Sequence, residues 1–266
     1  MNYVKAVITE KSFITPHLGI FRLKQEQPIS FLPGQYKTLG IRRKGLEGPG
    51  VKVENGKGTV WRPYSIASSP EEEESEIYVA WVQQDGRRID EWGVLSTELF
   101  NPAHDTEYLF RNKAKGKFLL PQDDRDVIMV ATGTGIAPFI SILRYQNKQN
   151  DKRKYILIHG VAHRSDLAYG DELLNGYNLK LNYLKTTSRE DYGDYNNKYA
   201  EEFFINRDKA NGRLSSQEID EAIQSGTLHN TTIEKIVDET FDPRHVVIML
   251  CGNPDMISNI KKITTT

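Results

Sequence analysis

The chain has 266 residues, with 35 lysines and arginines against 36 aspartates and glutamates and a formal net charge of -1. That length accommodates two modest domains or one large one, and the even charge gives no reason to expect nucleic acid or an anionic membrane as a partner. Cys251 is the single cysteine, which excludes an internal disulfide and any four-cysteine iron–sulfur or zinc centre. No metal ligands are expected, so a carrier bearing such a centre would have to be a separate protein. The stretch from Met1 to Phe13 lacks the apolar core of a signal peptide, and no window approaches the roughly 18 apolar residues of a membrane helix. The expected location is cytoplasmic.

Up to about residue 120 the pattern is of short strands between turns. Tyr3 to Thr9, Gly19 to Leu23, Gln35 to Ile41, Arg62 to Ala67, Ile77 to Val82 and Glu107 to Phe110 are rich in β-branched and aromatic residues, with Gly, Pro and charged clusters between them. This predicts a small antiparallel barrel or sandwich. Arg42 to Thr59, with five glycines, reads as a long exposed hairpin loop, and the run Glu71 to Glu74 as an exposed turn. From about residue 125 apolar runs alternate with helical patterns over Ala137 to Gln146, Ala168 to Leu174, Ser216 to Gln224 and Pro254 to Ile263. Strand then helix, repeated, predicts parallel βαβ units in a doubly wound sheet. The boundary is placed in the polar connector Pro121 to Asp126, giving domains 1–122 and 123–266. Asp191 to Asn211 reads as an inserted loop.

The buried run Val127 to Ala131 is followed by Thr132-Gly133-Thr134-Gly135-Ile136-Ala137-Pro138 and an apolar helix. Gly133 and Gly135 are free to adopt positive φ and to let a phosphate approach the backbone. Pro138 suits a first helical turn, and a helix N-terminus offers free N–H groups to an anion. A bare strand–helix turn would use the same glycines; the position at the opening of the α/β half favours a dinucleotide site. Pro138 stands where the third glycine of the Gly-x-Gly-x-x-Gly fingerprint would be, and no acidic residue ends the next strand at His159-Gly160. The third strand ends in Ser188-Arg189. With Arg213 and Arg144 these supply guanidinium groups that match a 2′-phosphate bidentately, although any one of them alone would read as a solvated surface residue.

In the first half, alternation puts Arg62, Tyr64 and Ile66 on one face of a strand. An arginine and a tyrosine two residues apart can hold a phosphate and stack on a planar ring; in isolation they read equally as a surface arginine beside a half-buried aromatic. Gly93-Val94-Leu95-Ser96 opens a short helix and is a second possible phosphate cradle.

Taken in order, these segments resemble the ferredoxin–NADP reductase family, its bacterial branch in particular. Arg62-x-Tyr64-Ser65 is similar to the family's FAD motif, and Gly93-x-x-Ser96 to its second flavin-phosphate segment. Gly133-Thr134-Gly135-Ile136-Ala137-Pro138 is similar to its NADP pyrophosphate loop. His159-Gly160, Asp166 to Tyr169, Ser188-Arg189 and Cys251-Gly252-Asn253-Pro254-x-Met256 continue the likeness, which runs from about residue 3 to about residue 260. The resemblance implies an FAD-binding antiparallel β-barrel followed by an NADP(H)-binding α/β domain, and a flavoenzyme that passes electrons between NADP(H) and ferredoxin or flavodoxin. Arg62, Ser96 and its neighbours Gly93, Val94 and Leu95 would hold the FAD pyrophosphate. Tyr64 would lie against the isoalloxazine, with the Ser65 hydroxyl near flavin N5 and Cys251 bordering the nicotinamide pocket beside Gly252 and Asn253. Ser65 and Cys251 are thus the candidates nearest the chemistry. Thr132, Gly133, Thr134, Gly135 and Pro138 would receive the pyrophosphate of NADP(H), and Ser188, Arg189, Arg213 and Arg144 its 2′-phosphate.

No aromatic residue follows Phe241 in the sequence, whereas related reductases often set an aromatic from beyond the last helix against the second flavin face. Either that tail is lost or trimmed here or the face is covered differently, and the resemblance names no C-terminal catalytic residue. Two other readings stand beside the reductase: an NAD(P)H-dependent component of an oxygenase system, and a flavin-binding redox sensor or subunit without turnover. Lys37, Arg42, Arg43, Lys44, Lys113, Lys115 and Lys117 are the expected cationic surface for an acidic carrier. A monomer is expected.

Overall fold

The computed structural model describes residues 3–81, 93–190, 195–196, 199–204 and 242–264. The helical pattern at Ser216 to Gln224, Arg213, Phe241 and most of the Asp191 to Asn211 loop lie outside the described residues. The chain divides into two compact units. One comprises Met1–Pro121 with Ala137–Tyr145, the other Gln122–Ile136 with Gln146–Thr266.

The first unit is a seven-stranded antiparallel sheet. Its strands are β1 (Tyr3–Thr15), β2 (Leu18–Gln25), β3 (Tyr36–Lys44), β4 (Lys52–Glu54), β5 (Lys57–Ser65), β6 (Glu74–Ala80) and β7 (Glu107–Arg111), with the short helix α1 (Val94–Phe100) between the last two. The spatial order is β4-β5-β3-β7-β1-β2-β6. Two residues past β5 the Ala67 N–H donates to the Glu76 carbonyl of β6 at 2.8 Å, so the sheet curls until β5 meets the strand at the far end of the order. The barrel expected from short, evenly spaced strands is thereby formed. Alternate strand residues fill its interior: Phe21, Leu23, Leu39, Ile41, Val60, Ile77 and Phe110 are all fully buried, as is Leu99 of α1.

Two stretches differ from the sequence reading. β1 extends to Thr15 because two bulges, between Ile8 and Glu10 and between Phe13 and Thr15, let it bend while staying paired with β2. The loop expected over Arg42 to Thr59 contains a hairpin. Glu54 pairs with Lys57 across Asn55 (φ 51°) and Gly56 (φ 71°), the two positive angles of a type I′ turn.

The second unit is a five-stranded parallel sheet of order β11-β10-β9-β8-β12. It is built from β8 (Asp126–Thr132), β9 (Lys154–Val161), β10 (Lys180–Thr187), β11 (Tyr195–Asn196) and β12 (Val246–Cys251), with helices α3 (Gly170–Asn175) and α4 (Pro254–Thr264). The helix α2 (Ala137–Lys148) follows β8 in sequence, and its first nine residues group with the first unit. Strands β8 and β9 are covered on both faces, which is why they read as unbroken apolar runs. On one face Ile128, Val130, Ile156, Ile158 and Leu184 pack with Phe203, Phe204 and the α4 residues Met256 and Ile260.

Lys37 does not belong to the surface where the sequence reading put it. It is 2% exposed, in the barrel interior. Arg42 and Arg43 are held by Glu107 and Glu98 at 2.6 Å each, so three of the seven expected surface cations are engaged within the unit.

Candidate functional site

The chain leaves β8 in one direction to build β9 and β10 and later returns to place β12 on the other side of β8. That reversal creates a crevice at the carboxyl ends of β8 and β12, where ligands bind in open α/β sheets. Both segments that end there are glycine loops. After β8, Gly133 takes φ 52°, and a side chain added to it would meet nothing within 4 Å; the loop offers open backbone at that point. Gly135 is needed for a different reason from the one expected. Its φ is not positive; a Cβ there would stand 2.4 Å from the Cys251 carbonyl oxygen and 2.8 Å from the Gly252 Cα. After β12, Gly252 adopts φ 136° and a Cβ would fall 2.1 Å from Thr132 Oγ1. The two loops are therefore pressed backbone to backbone, and the Asn253 N–H donates to Thr132 Oγ1 at 2.7 Å to fasten them.

The flanking residues have clear local roles. Asn253 caps α4, its Oδ1 accepting from the Asp255 N–H at 2.7 Å, with Pro254 as the first helical residue. Pro138 is buried in the first turn of α2, after a 3₁₀ turn over Gly133–Ile136. Thr134 is half-buried within that turn. Cys251 is half-buried and burial pushes its thiol up to about 11, so it stays protonated at neutral pH.

His159, near the end of β9, anchors the glycine loop. Its ring is fully buried in β9, with Nε2 3.0 Å from the Gly133 carbonyl oxygen and Nδ1 3.4 Å from the Tyr183 hydroxyl. A carbonyl only accepts, so Nε2 carries the proton and Nδ1 accepts from the tyrosine. Desolvation holds the ring neutral, with a pKa lowered to about 4 against an ordinary 6.5. Because the folded state binds this proton less readily than the unfolded chain, the group costs nothing above pH 6.5. It costs progressively more as pH falls from 6.5 to about 4, up to about 3 kcal/mol. Urea unfolding at pH 7 and pH 4.5 is expected to show a smaller acid penalty for His159→Gln than for the unaltered chain.

At the end of β10 the main-chain N–H groups of Ser188 and Arg189 donate to the carbonyls of Val161 and Ala162 at 2.9 and 3.0 Å, which ties them to the end of β9. Ser188 is half-buried, and Arg189 is exposed with no ion pair to its guanidinium among the described residues. The structure thus brings Ser188 and Arg189 to the same carboxyl edge as the glycine loops.

In the first unit Arg62, Tyr64 and Ser65 end β5, opposite Leu39, Lys37 and Tyr36 of β3. The face that is closed at Gly58 and Val60 opens at Arg62, which is exposed, and at the half-buried Tyr64. Arg62 spends two donors on the carbonyls of Trp61 and Pro49, at 2.9 and 3.2 Å, and the rest of its fork is available among the described residues. Burial raises the Tyr64 phenol while the Arg62 charge opposes it. Ser65 Oγ makes no hydrogen bond among the described residues. Gly93 precedes α1, where Ser96, 4% exposed, donates to the Gly93 carbonyl at 2.9 Å and Leu95 is buried while Val94 is half-buried. Arg144 lies among first-unit residues: its guanidinium sits 3.1 Å from Glu76, 3.6 Å from Glu72 and 3.3 Å from the Ala67 carbonyl. Ser141, one turn earlier, donates to the Ser68 carbonyl at 2.7 Å. A hollow of about 900 Å³ along β1 has none of these residues in its walls.

An antiparallel barrel with an Arg-x-Tyr-Ser strand end and a parallel sheet with paired glycine loops define a two-domain nucleotide-binding oxidoreductase. Residues 129–262 match the family model described as oxidoreductase NAD-binding domain. The flavodoxin/ferredoxin–NADP reductase of Buchnera aphidicola subsp. Baizongia pistaciae is 32% identical over 90% of this chain and 81% of its own length. The enzyme of that name from Escherichia coli K12 is 29% identical over the same shares. A ferredoxin NADP+ reductase from Neisseria gonorrhoeae, solved with bound FAD and NADP, has a similar fold with TM-score 0.67 and 22% identity over 99% of this chain and 90% of that one. The chain belongs to the ferredoxin–NADP reductase family.

Proposed function

We propose that this chain is an FAD-dependent reductase that moves electrons between NADP(H) and ferredoxin or flavodoxin. The observation that carries the reading is the pair of glycine loops at the switch point, Gly133 to Gly135 packed on Cys251-Gly252 with backbone open at Gly133. It is a cradle that fits a pyrophosphate on one side and a flat ring beside a small residue on the other. The open fork of Arg62 and the Tyr64-Ser65 strand end fit a flavin nucleotide in the same way. Bound FAD supplies the chemistry, accepting hydride as a two-electron unit and releasing electrons one at a time.

The residues bind and orient. Arg62 holds the FAD pyrophosphate with the segment Gly93 to Ser96. Tyr64 presents its ring as a neutral phenol, and Ser65 offers a hydroxyl at the flavin N5 edge. Gly133, Thr134 and Gly135 take the NADP(H) pyrophosphate, with Thr132 and Pro138 shaping the loop. Cys251, as a neutral thiol, keeps the nicotinamide pocket free of charge. Ser188 and Arg189 take the 2′-phosphate, together with Arg213, which lies outside the described residues. Arg144 does something different, since together with Ser141 it holds the main chain that follows Ser65.

The acidic carrier is assigned to Lys113, Lys115 and Lys117. All three are exposed, and Lys115 exchanges two 2.9 Å main-chain hydrogen bonds with Tyr36, the residue opposite Ser65. Leu32 and Leu119 are exposed apolar residues of the same unit. Such lysines steer an anionic partner more than they hold it. No helix among the described residues is long and apolar enough to cross a membrane; the reading is of a monomer acting in the cytoplasm without nucleic acid.

The reading is tested by NADPH-driven reduction of ferredoxin and of flavodoxin. Exchanging the three lysines for glutamate is expected to raise the carrier KM tenfold or more at low salt, with NADPH–ferricyanide turnover unchanged. A carrier KM that does not respond would remove the docking assignment.

A further inference from the structure

Lys37 is a buried cation with no counter-anion among the described residues. Its ammonium donates to Gln25 Oε1 at 3.0 Å and to Ser75 Oγ at 2.7 Å. The ring centroids of Phe31 and Phe110 lie 4.7 and 5.9 Å away. No carboxylate approaches it within 4.0 Å among the described residues. Gln25 already donates to Ser75 Oγ at 2.7 Å and to the Leu23 carbonyl at 3.1 Å, so the two polar side chains have each other without the lysine. A charge kept in such a place is costly, and an apolar residue of similar volume would suit the fold as well or better. Desolvation lowers its pKa to about 8, which leaves the charged form in the majority at neutral pH.

The position of this charge in the register is what gives it meaning. Lys37 stands directly across from Tyr64, and its neighbour Tyr36 directly across from Ser65. Opposed residues of an antiparallel pair share a face, their Cβ atoms about 5 Å apart. The lysine stem therefore starts beside the strand end that presents Arg62, Tyr64 and Ser65. Among the described residues the groups that meet the ammonium are neutral: Gln25 on β2, Ser75 on β6, Phe110 on β7 and Phe31 in the connection before β3.

We propose that Lys37 sets the reduction potential of the flavin held by this strand end, its buried positive charge favouring the electron-rich form. This rests on the FAD site proposed above. The aromatic faces and neutral oxygens tolerate the cation without quenching it, as a carboxylate would.

The test is the midpoint potential of the FAD-loaded protein at pH 7, measured by dye-equilibrated spectral titration for the unaltered chain and for K37M, K37Q and K37R. K37M and K37Q are expected to shift the reduction equilibrium towards the oxidised form by about tenfold, the order a single charge produces inside a protein. That is near 30 mV for a two-electron couple. K37R is expected to keep the original potential. Equal potentials in all four proteins would overturn the proposal. So would loss of flavin from both neutral variants with retention in K37R, which would make the cation a requirement for holding the cofactor. Failure of the unaltered chain to bind FAD or to be reduced by NADPH would instead refute the functional reading.

Discussion

Alanine at Gly252 is expected to cost several kcal/mol of stability and to reduce flavin reduction by NADPH at least a hundredfold. Two faults coincide there. The backbone stands at φ 136°, which a side chain adopts only under strain. The added Cβ would also lie 2.1 Å from Thr132 Oγ1 and 2.8 Å from the Thr132 nitrogen. The loop would have to withdraw, breaking the 2.7 Å bond from the Asn253 N–H to Thr132 Oγ1 and opening the crevice between β8 and β12. Gly133 provides the contrast. Its φ of 52° carries only the left-handed penalty of about 1–2 kcal/mol, because a Cβ there meets nothing within 4 Å. Gly133→Ala is thus expected to fold with a modest loss and yet to raise the KM for NADPH, since the methyl group would occupy the space assigned to the pyrophosphate. Thermal unfolding with steady-state kinetics separates the two. A Gly133→Ala protein with unaltered KM would remove the pyrophosphate from that loop.

Arg189→Gln is expected to lower kcat/KM for NADPH about a hundredfold and to change the value for NADH less than twofold. A bidentate guanidinium–phosphate contact is worth about 2–3 kcal/mol when its partner is doubly charged. Arg189 is exposed and unpaired among the described residues, so removing it breaks no side-chain contact with any of them. Its main-chain tie to Ala162 at 3.0 Å does not depend on the side chain. A parallel loss with both nucleotides would mean that Arg189 acts on loop structure and not on the 2′-phosphate.

Much of the architecture is legible because it is written locally. Strands β8, β9 and β12 are apolar runs, α2 and α4 carry a helical period with Pro near the start, and the loop after β8 has its glycines in sequence. The strand end from Arg62 to Ser65, proposed here to hold the flavin, stands out as a four-residue motif. What escapes a reading of the sequence depends on partners far along the chain. Lys37 looks like a surface residue until β2 and β6 bring Gln25 and Ser75 to it. Arg144 looks like a free cation at a helix end until Glu72 and Glu76 meet it. Gly135 reads as a residue needed for its torsion angle, whereas the Cys251 carbonyl, more than a hundred residues on, is what forbids a side chain. His159 gives no local sign of its bond to the Gly133 carbonyl. One missed feature does have a local signal: Asn55-Gly56 between Glu54 and Lys57 is a two-residue hairpin turn, hidden within a glycine-rich, charged stretch. The β1 bulges have no such signature.

The most direct test is anaerobic stopped-flow absorbance of the FAD-loaded protein mixed separately with NADPH and with NADH. Rapid bleaching of the flavin by NADPH and much slower bleaching by NADH are expected. Equal or faster reduction by NADH would contradict the assignment of Ser188 and Arg189 to a 2′-phosphate and favour a reductase serving an oxygenase. Flavin that neither nucleotide bleaches would contradict hydride transfer altogether.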